Sequence, residues 1–193
     1  MIKTVLSNLA SLYYPRDVDS ISEYDKYVQS DECKRLKSKL NSLFYSKEVK
    51  QVKSAILNKV KNYPKIRETK DTTMESFDRC LSFKLEIVEN KTLFQICINI
   101  SLLAPYYVVY ILKNNIELAP YRWIGVPVRD KKSEISQYKP EINMICDIVE
   151  EVTYYSKIPE SIAKIKISDL SYADKGIGEF TIFNAFFLND VEL

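Results

Sequence analysis

The stretch from Leu93 to Leu112, LFQICINISLLAPYYVVYIL, runs for twenty residues without a charge between Lys91 and Lys113. Its length matches the ~20 apolar residues that a bilayer-spanning helix needs, but its periodicity points elsewhere. Phe94, Ile96, Ile98, Ile100 and Leu102 alternate with Gln95, Cys97, Asn99 and Ser101, and a period of two places the apolar side chains on one face of a strand. Ala104-Pro105 then interrupts the run, because proline removes a backbone donor and pushes the preceding residue out of helical geometry. Tyr106 to Leu112 resumes as a second strand, rich in the Tyr, Val and Ile that suit a pleated surface. Upstream, Leu81, Phe83, Leu85 and Ile87 alternate with Ser82, Lys84 and Glu86, and Glu89-Asn90-Lys91 supplies a turn. The expectation is an antiparallel meander in a buried core, with no membrane span.

Around this meander the spacing predicts helices. Leu36, Leu40, Leu43 and Phe44 fall at helical intervals over 31–45, after a cap at Ser30 or Asp31. Val49, Val52, Ile56 and Val60 repeat the pattern over 47–61, and Tyr63-Pro64 stops it. Tyr13-Tyr14-Pro15-Arg16, followed by Tyr24 and Tyr27, reads as a short helix, a turn and a second tyrosine-bearing segment. Beyond the meander, Tyr121 to Val128 reads as a fourth strand or an edge, where Pro127 is tolerable. Residues 131–157 contain the best single helix, with Pro140 in its first turn or kinking it and Ile142, Ile145, Val149 and Val152 as its stripe. Strands are expected at Ala163 to Ile167, from its alternation, and at Glu179 to Leu188, which is apolar on both faces. The fold class is therefore α+β: N-terminal helices, then a mostly antiparallel sheet, with one long helix inserted before the last strands. One domain over 1–193 is expected, with a helical part at 1–67 and a sheet-plus-helix part at 78–193.

The composition closes several routes to catalysis. There is no histidine in the chain, which removes Ser-His-Asp and Cys-His chemistry and histidine-based metal sites. Cys33, Cys80, Cys97 and Cys146 are spaced 47, 17 and 49 residues apart, so no C-x-x-C pair exists and packed, reduced thiols are expected. With three glycines there is no phosphate loop, and Gly176-Ile177-Gly178 reads as a turn into the last segment. Glu89-Asn90-Lys91 has the E-x-K spacing of a class of metal-dependent nucleases, with Asp78 as a conceivable partner, but its place in a hairpin loop favours turn residues. No metal, cofactor or catalytic set is predicted. MIKTVLSNLASLYY lacks the three-part pattern of a signal peptide, so a cytoplasmic location is expected.

Charge is distributed unevenly. Between Lys34 and Arg67 eleven basic residues face Glu48 alone, a net of +10 that leaves −8 for the rest of a chain whose total is +2. From Glu141 to Leu193 ten acids meet four lysines, a net of −6. The basic helices could meet phosphates, the acidic half could steer a basic protein, or the two could attract each other within the fold.

In whole-chain character, and in stretches such as YYPRDVDSISEYDKY and FTIFNAFFLND, the sequence resembles the small cytosolic immunity proteins that bacteria make against toxins delivered by neighbours. The resemblance carries no motif, so it transfers no residue roles. It implies function by tight binding and occlusion without a reaction, and a cognate toxin as partner. The expected contact face is acidic: Asp147, Glu150 and Glu151. The alternative is nucleic-acid binding through Lys50, Lys53, Lys59 and Lys61. Oligomeric state is left open by the sequence.

Overall fold

The computed structural model describes residues 2–61, 63–75, 78–89, 92–115, 126–127 and 136–188. Four helices lead: α1 (Ile2–Ala10), α2 (Tyr24–Gln29), α3 (Asp31–Phe44) and α4 (Lys47–Val60). The α3 and α4 boundaries follow from serine caps. Ser30 Oγ accepts from the Cys33 N–H at 3.2 Å, and Ser46 Oγ from the Val49 N–H at 3.1 Å, each satisfying a donor that the first helical turn would leave unpaired. Asp31 and Glu32 in the first turn of α3 add a favourable term with the helix dipole. Cys33, Leu36, Leu40 and Phe44 form its buried stripe, and Ile56 and Val60 that of α4.

The sheet runs β1 (Glu68–Asp71), β2 (Cys80–Glu89), β3 (Thr92–Ser101), β4 (Tyr106–Asn115) and β5 (Val126–Pro127) in spatial order, all antiparallel. The two-residue β6 (Ser156–Lys157) adds to β4 in parallel. The uncharged stretch is thus β3, a turn and most of β4. Among the described residues no helix is long and apolar enough to cross a membrane. Register sorts the faces. Leu81, Phe83, Leu85 and Ile87 sit opposite Ile100, Ile98, Ile96 and Phe94, while Ser82, Lys84 and Glu86 sit opposite Asn99, Cys97 and Gln95. The turn is held by Ser101 Oγ, which accepts from the N–H groups of Leu103 and Ala104.

Helix α5 (Lys139–Thr153) packs on the apolar face beside α4. Tyr138 meets Phe94 at 5.0 Å between ring centroids, and the Tyr107 hydroxyl donates to Glu150 at 2.6 Å. Two short helices follow, α6 (Glu160–Ala163) and α7 (Ile182–Phe186). On the other face of the sheet Tyr110 meets Phe183 of α7 edge-on at 6.4 Å. The buried tyrosine Tyr14, just past α1, donates to the Ala185 carbonyl at 2.7 Å. One buried cluster runs continuously from Leu6 through Ile56 and the sheet to Phe187.

The α+β organisation is as the sequence predicts, but two expected strands are not. Residues 179–188 hold the helix α7, because Thr181 and Asn184 form a capping box: Thr181 Oγ1 accepts from the Asn184 N–H at 3.1 Å, and Asn184 Oδ1 from the Thr181 N–H at 3.0 Å. A run apolar on both faces leaves helix and strand undistinguished by period, and the cap decides. At 163–167 the chain turns out of α6 and makes only a bridge between Lys166 and Thr181, flanked by Ile167 N–H to Phe180 O and Ile182 N–H to Ile165 O. The long helix lies within the expected span, with Pro140 in its first turn and its end at Thr153; residues 131–135 of the reading lie outside the described residues. Of the expected strand at 121–128, Val126 and Pro127 pair with β4 at Lys113 and Leu112, and the remainder lies outside them too. Gly176 to Gly178 is a loop, with Gly178 at φ 85°. The four cysteines are free, with Cys33, Cys80 and Cys97 buried.

Two loops are clasped by Asp19. Its carboxylate accepts from the N–H groups of Ser22, Ile21 and Ile177 at 2.9, 3.0 and 3.2 Å. The Ser22 N–H contributes most, then those of Ile177 and Ile21, and together they hold the Asp19 carboxyl at about 2, below its ordinary 3.8.

Two outcomes follow from these contacts. Thr181→Ala is expected to lower the unfolding free energy by about 1 kcal/mol in urea denaturation, and an unchanged midpoint would remove the cap as the reason for α7. A carboxyl whose folded pKa is depressed stabilises above its unfolded pKa and loses that contribution as pH falls. The stability gap between wild type and Asp19→Asn should therefore be widest above 3.8 and close as pH falls towards 2; a gap independent of pH contradicts the clasp.

Candidate functional site: two charged helical ridges

α4 and α5 lie side by side over the sheet, and each presents an outward ridge. On α4 the 3.6-residue period divides the predicted lysines between crest and flanks. Lys53 lies on the flank towards β1, its Nζ 2.8 Å from Asp71 and 3.6 Å from Glu75. Lys59 lies on the flank towards α5, its Nζ 2.8 and 2.9 Å from the two oxygens of Glu151. Lys50 and Lys61 are exposed and in no ion pair among the described residues, and Lys47 joins them on the crest. Exposed Tyr45 stands where α3 turns into α4.

The acids of α5 are divided in the same way. Glu150 is exposed, with one oxygen accepting from the buried Tyr107 hydroxyl. Burial first, and the Glu150 hydrogen bond next, push the Tyr107 pKa upward, so it remains a donor. Glu151 turns to the opposite flank and its Lys59 partner. Asp147 stands exposed between them. The three predicted acids are all exposed on one helix but differ in their partners, and two predicted contact residues from rival surfaces, Lys59 and Glu151, bind each other. At the start of α5, Glu141 is 1% exposed and its Oε1 lies 2.8 Å from Lys65 Nζ. The hydrogen bond from Lys65 raises the lysine's pKa. The two charged halves of the sequence therefore attract each other along the α4–α5 seam.

Sequence reasoning did not single out Tyr154. It caps α5 in a left-handed conformation, φ 59° and ψ 22°, with its N–H donating to the Glu150 carbonyl at 2.8 Å. Its side chain is 91% exposed, the highest of the large apolar and aromatic residues described. Tyr154 follows Asp147 by seven residues, immediately past the last helical residue Thr153. The doublet Tyr154-Tyr155 at the end of a helical period is the only sequence signal for it.

The remaining candidates for chemistry are engaged structurally. Glu89, the last residue of β2, accepts from the Tyr138 hydroxyl at 2.9 Å, and Asn90 and Lys91 lie outside the described residues. Asp78 is buried and accepts from the Met74 N–H at 2.7 Å. Burial pushes the Cys97 thiol up to about 12, against the pull of Lys84, which suits packing rather than nucleophilic attack. No cluster of three or more metal-ligating side chains occurs among the described residues. Compared with known proteins, the chain matches no family model, no curated protein and no solved structure.

The Lys59–Glu151 pair is 41% and 66% exposed on its two sides, so water screens it. A double-mutant cycle with Lys59→Ala and Glu151→Ala should give a coupling below about 1 kcal/mol that fades as salt is raised. A larger coupling, insensitive to salt, would make the seam a principal support of the fold.

Proposed function

We propose that the protein is a non-enzymatic binding module that captures a basic protein partner on the α5 ridge, as a cytoplasmic immunity protein neutralises its toxin by occlusion. Tyr154 carries this reading. An L-residue in the left-handed region costs about 1–2 kcal/mol, and helices ordinarily end there on glycine or asparagine. The left-handed turn ends α5 and leads the chain into β6, yet the tyrosine ring itself adds little to the packing, since it is 91% exposed. Strain of this kind accumulates where function holds it, and tyrosine is among the residues that dominate the energetics of protein interfaces. Asp147, with Glu151 and Glu150 on the flanks, gives the ridge the sign that steers a basic surface towards it, and an arginine or lysine laid on the Tyr154 ring would add a cation–π contact. The four free thiols suit a reducing compartment.

Strain and function separate in one variant. Tyr154→Gly is expected to fold with unchanged or higher stability, by up to about 1 kcal/mol, while retention of the cognate protein from lysate falls at least about tenfold. Asp147→Ala with Glu151→Ala should slow association and flatten its salt dependence, leaving Glu150 on Tyr107. A wild-type column that retains no discrete protein, or retention untouched by Tyr154→Gly, overturns the proposal.

A further inference from the structure

The ion pairs leave the two charged halves unequal. Of the acids after residue 140, Glu141, Glu151, Glu160, Asp169 and Asp174 are each paired with a basic residue, whereas among the described residues only Lys53, Lys59 and Lys65 of the basic segment reach an acid outside their own helix. The uncompensated positive charge therefore concentrates on α3 and the crest of α4. There it borders a shallow groove lined by Tyr45, Lys47, Lys50, Gln51, Ser54, Ala55 and Asn58. Lys61 extends the stripe, about 21 Å along the axis from Lys47 at 1.5 Å per residue. Glu48, the one acid of the segment, does not line the groove.

We infer that this α3–α4 corner is a second binding surface, independent of the α5 ridge, that takes single-stranded nucleic acid. Lys47, Lys50 and Lys61 meet phosphates spaced along one strand, and Tyr45 supplies a stacking platform for an unpaired base. The ring of Tyr45 is 64% exposed at the mouth of the groove, and an aromatic face beside a cationic track is the arrangement by which single strands are held without sequence preference. Gln51, Ser54 and Asn58 line the groove with groups that donate to and accept from base edges. Ala55 is the one aliphatic side chain of that lining, too small to form the apolar pocket that a peptide anchor would need. Tyr45 ends one helix and Ser46 caps the next, so the ring is fixed relative to the lysine stripe by two rigid elements.

The test is binding of a labelled oligothymidine of about a dozen nucleotides, with inorganic polyphosphate as a base-free probe, across a range of salt. Log affinity should fall linearly with log salt, at about 0.7 per phosphate contact for single strands. Lys47→Ala with Lys50→Ala and Lys61→Ala should reduce that slope by about 2, and Lys53→Ala, whose ammonium is held by Asp71, should not change it. Tyr45→Ala should weaken the oligonucleotide about tenfold while leaving polyphosphate binding and the salt slope alone. All of these positions are at the surface or half-buried, and circular dichroism identical to wild type confirms that the variants fold. Three results overturn the inference: no oligonucleotide binding at low salt, equal binding by the triple-lysine variant, or a Tyr45→Ala loss that is the same for both probes. Retention of an acidic protein in place of the oligonucleotide overturns it as well.

Discussion

The register between β2 and β3 is the constraint on which the rest of the molecule depends. Side chains alternate along both strands, so pairing Phe83 with Ile98 and Leu85 with Ile96 commits every other position of the sheet. A slip of one residue would turn Ser82, Lys84 and Glu86 towards the helices and Leu81, Phe83 and Leu85 away from them. Each large apolar side chain removed from water is worth about 1.5–3 kcal/mol, which makes that slip prohibitive. Register also places Tyr107 and Phe94 on the helix-covered face. Through Glu150 and Tyr138 these two fix the roll of α5 about its axis. The crest that carries Asp147 and Tyr154 is outward because the opposite side of the helix is held down at those points.

The polar face of the sheet is stable because its groups find partners. Glu86 accepts from Lys70 at 2.9 Å and from Gln95 at 3.2 Å, and the Asn99 amide donates to the Tyr110 hydroxyl at 3.2 Å. Buried polar groups are tolerated when they are satisfied and costly when they are not. The same rule governs the charged halves of the sequence. A net of +10 over 34–67 and −6 over 141–193 would suggest two opposed open surfaces. In the fold, the acids and bases that face the seam pair off, and the charge left over is concentrated on the two crests.

What the sequence made legible was what local physics decides. The meander could be read from period two and from Ala104-Pro105, and the α3 and α4 boundaries from Ser30 and Ser46, because side-chain alternation and capping act over a few residues. β1 was not legible: Glu68 to Asp71 is a short polar edge, and only its pairing with Phe83 to Glu86 makes it a strand. Residues 179–188 misled because their apolar side chains are buried on all sides, so period carries no information, and the Thr181–Asn184 box was the signal to weigh. Of the candidate sites, the placement of lysines on α4 and of acids on α5 was readable in residue type but not in direction. That Lys53 and Lys59 are engaged while Lys50 and Lys61 are outward depends on neighbours distant in sequence. The left-handed backbone of Tyr154 is a property of how α5 ends against β6, and nothing in the residue name announces it.

The central claim is that Tyr154 touches a protein partner, and in-cell photocrosslinking tests it most directly. A photoreactive phenylalanine analogue would be placed at position 154 and, in a parallel chain, at exposed Ser161 on α6. The account predicts a discrete protein adduct from position 154 and none from position 161. No adduct from 154, or the same adducts from both positions, would contradict it.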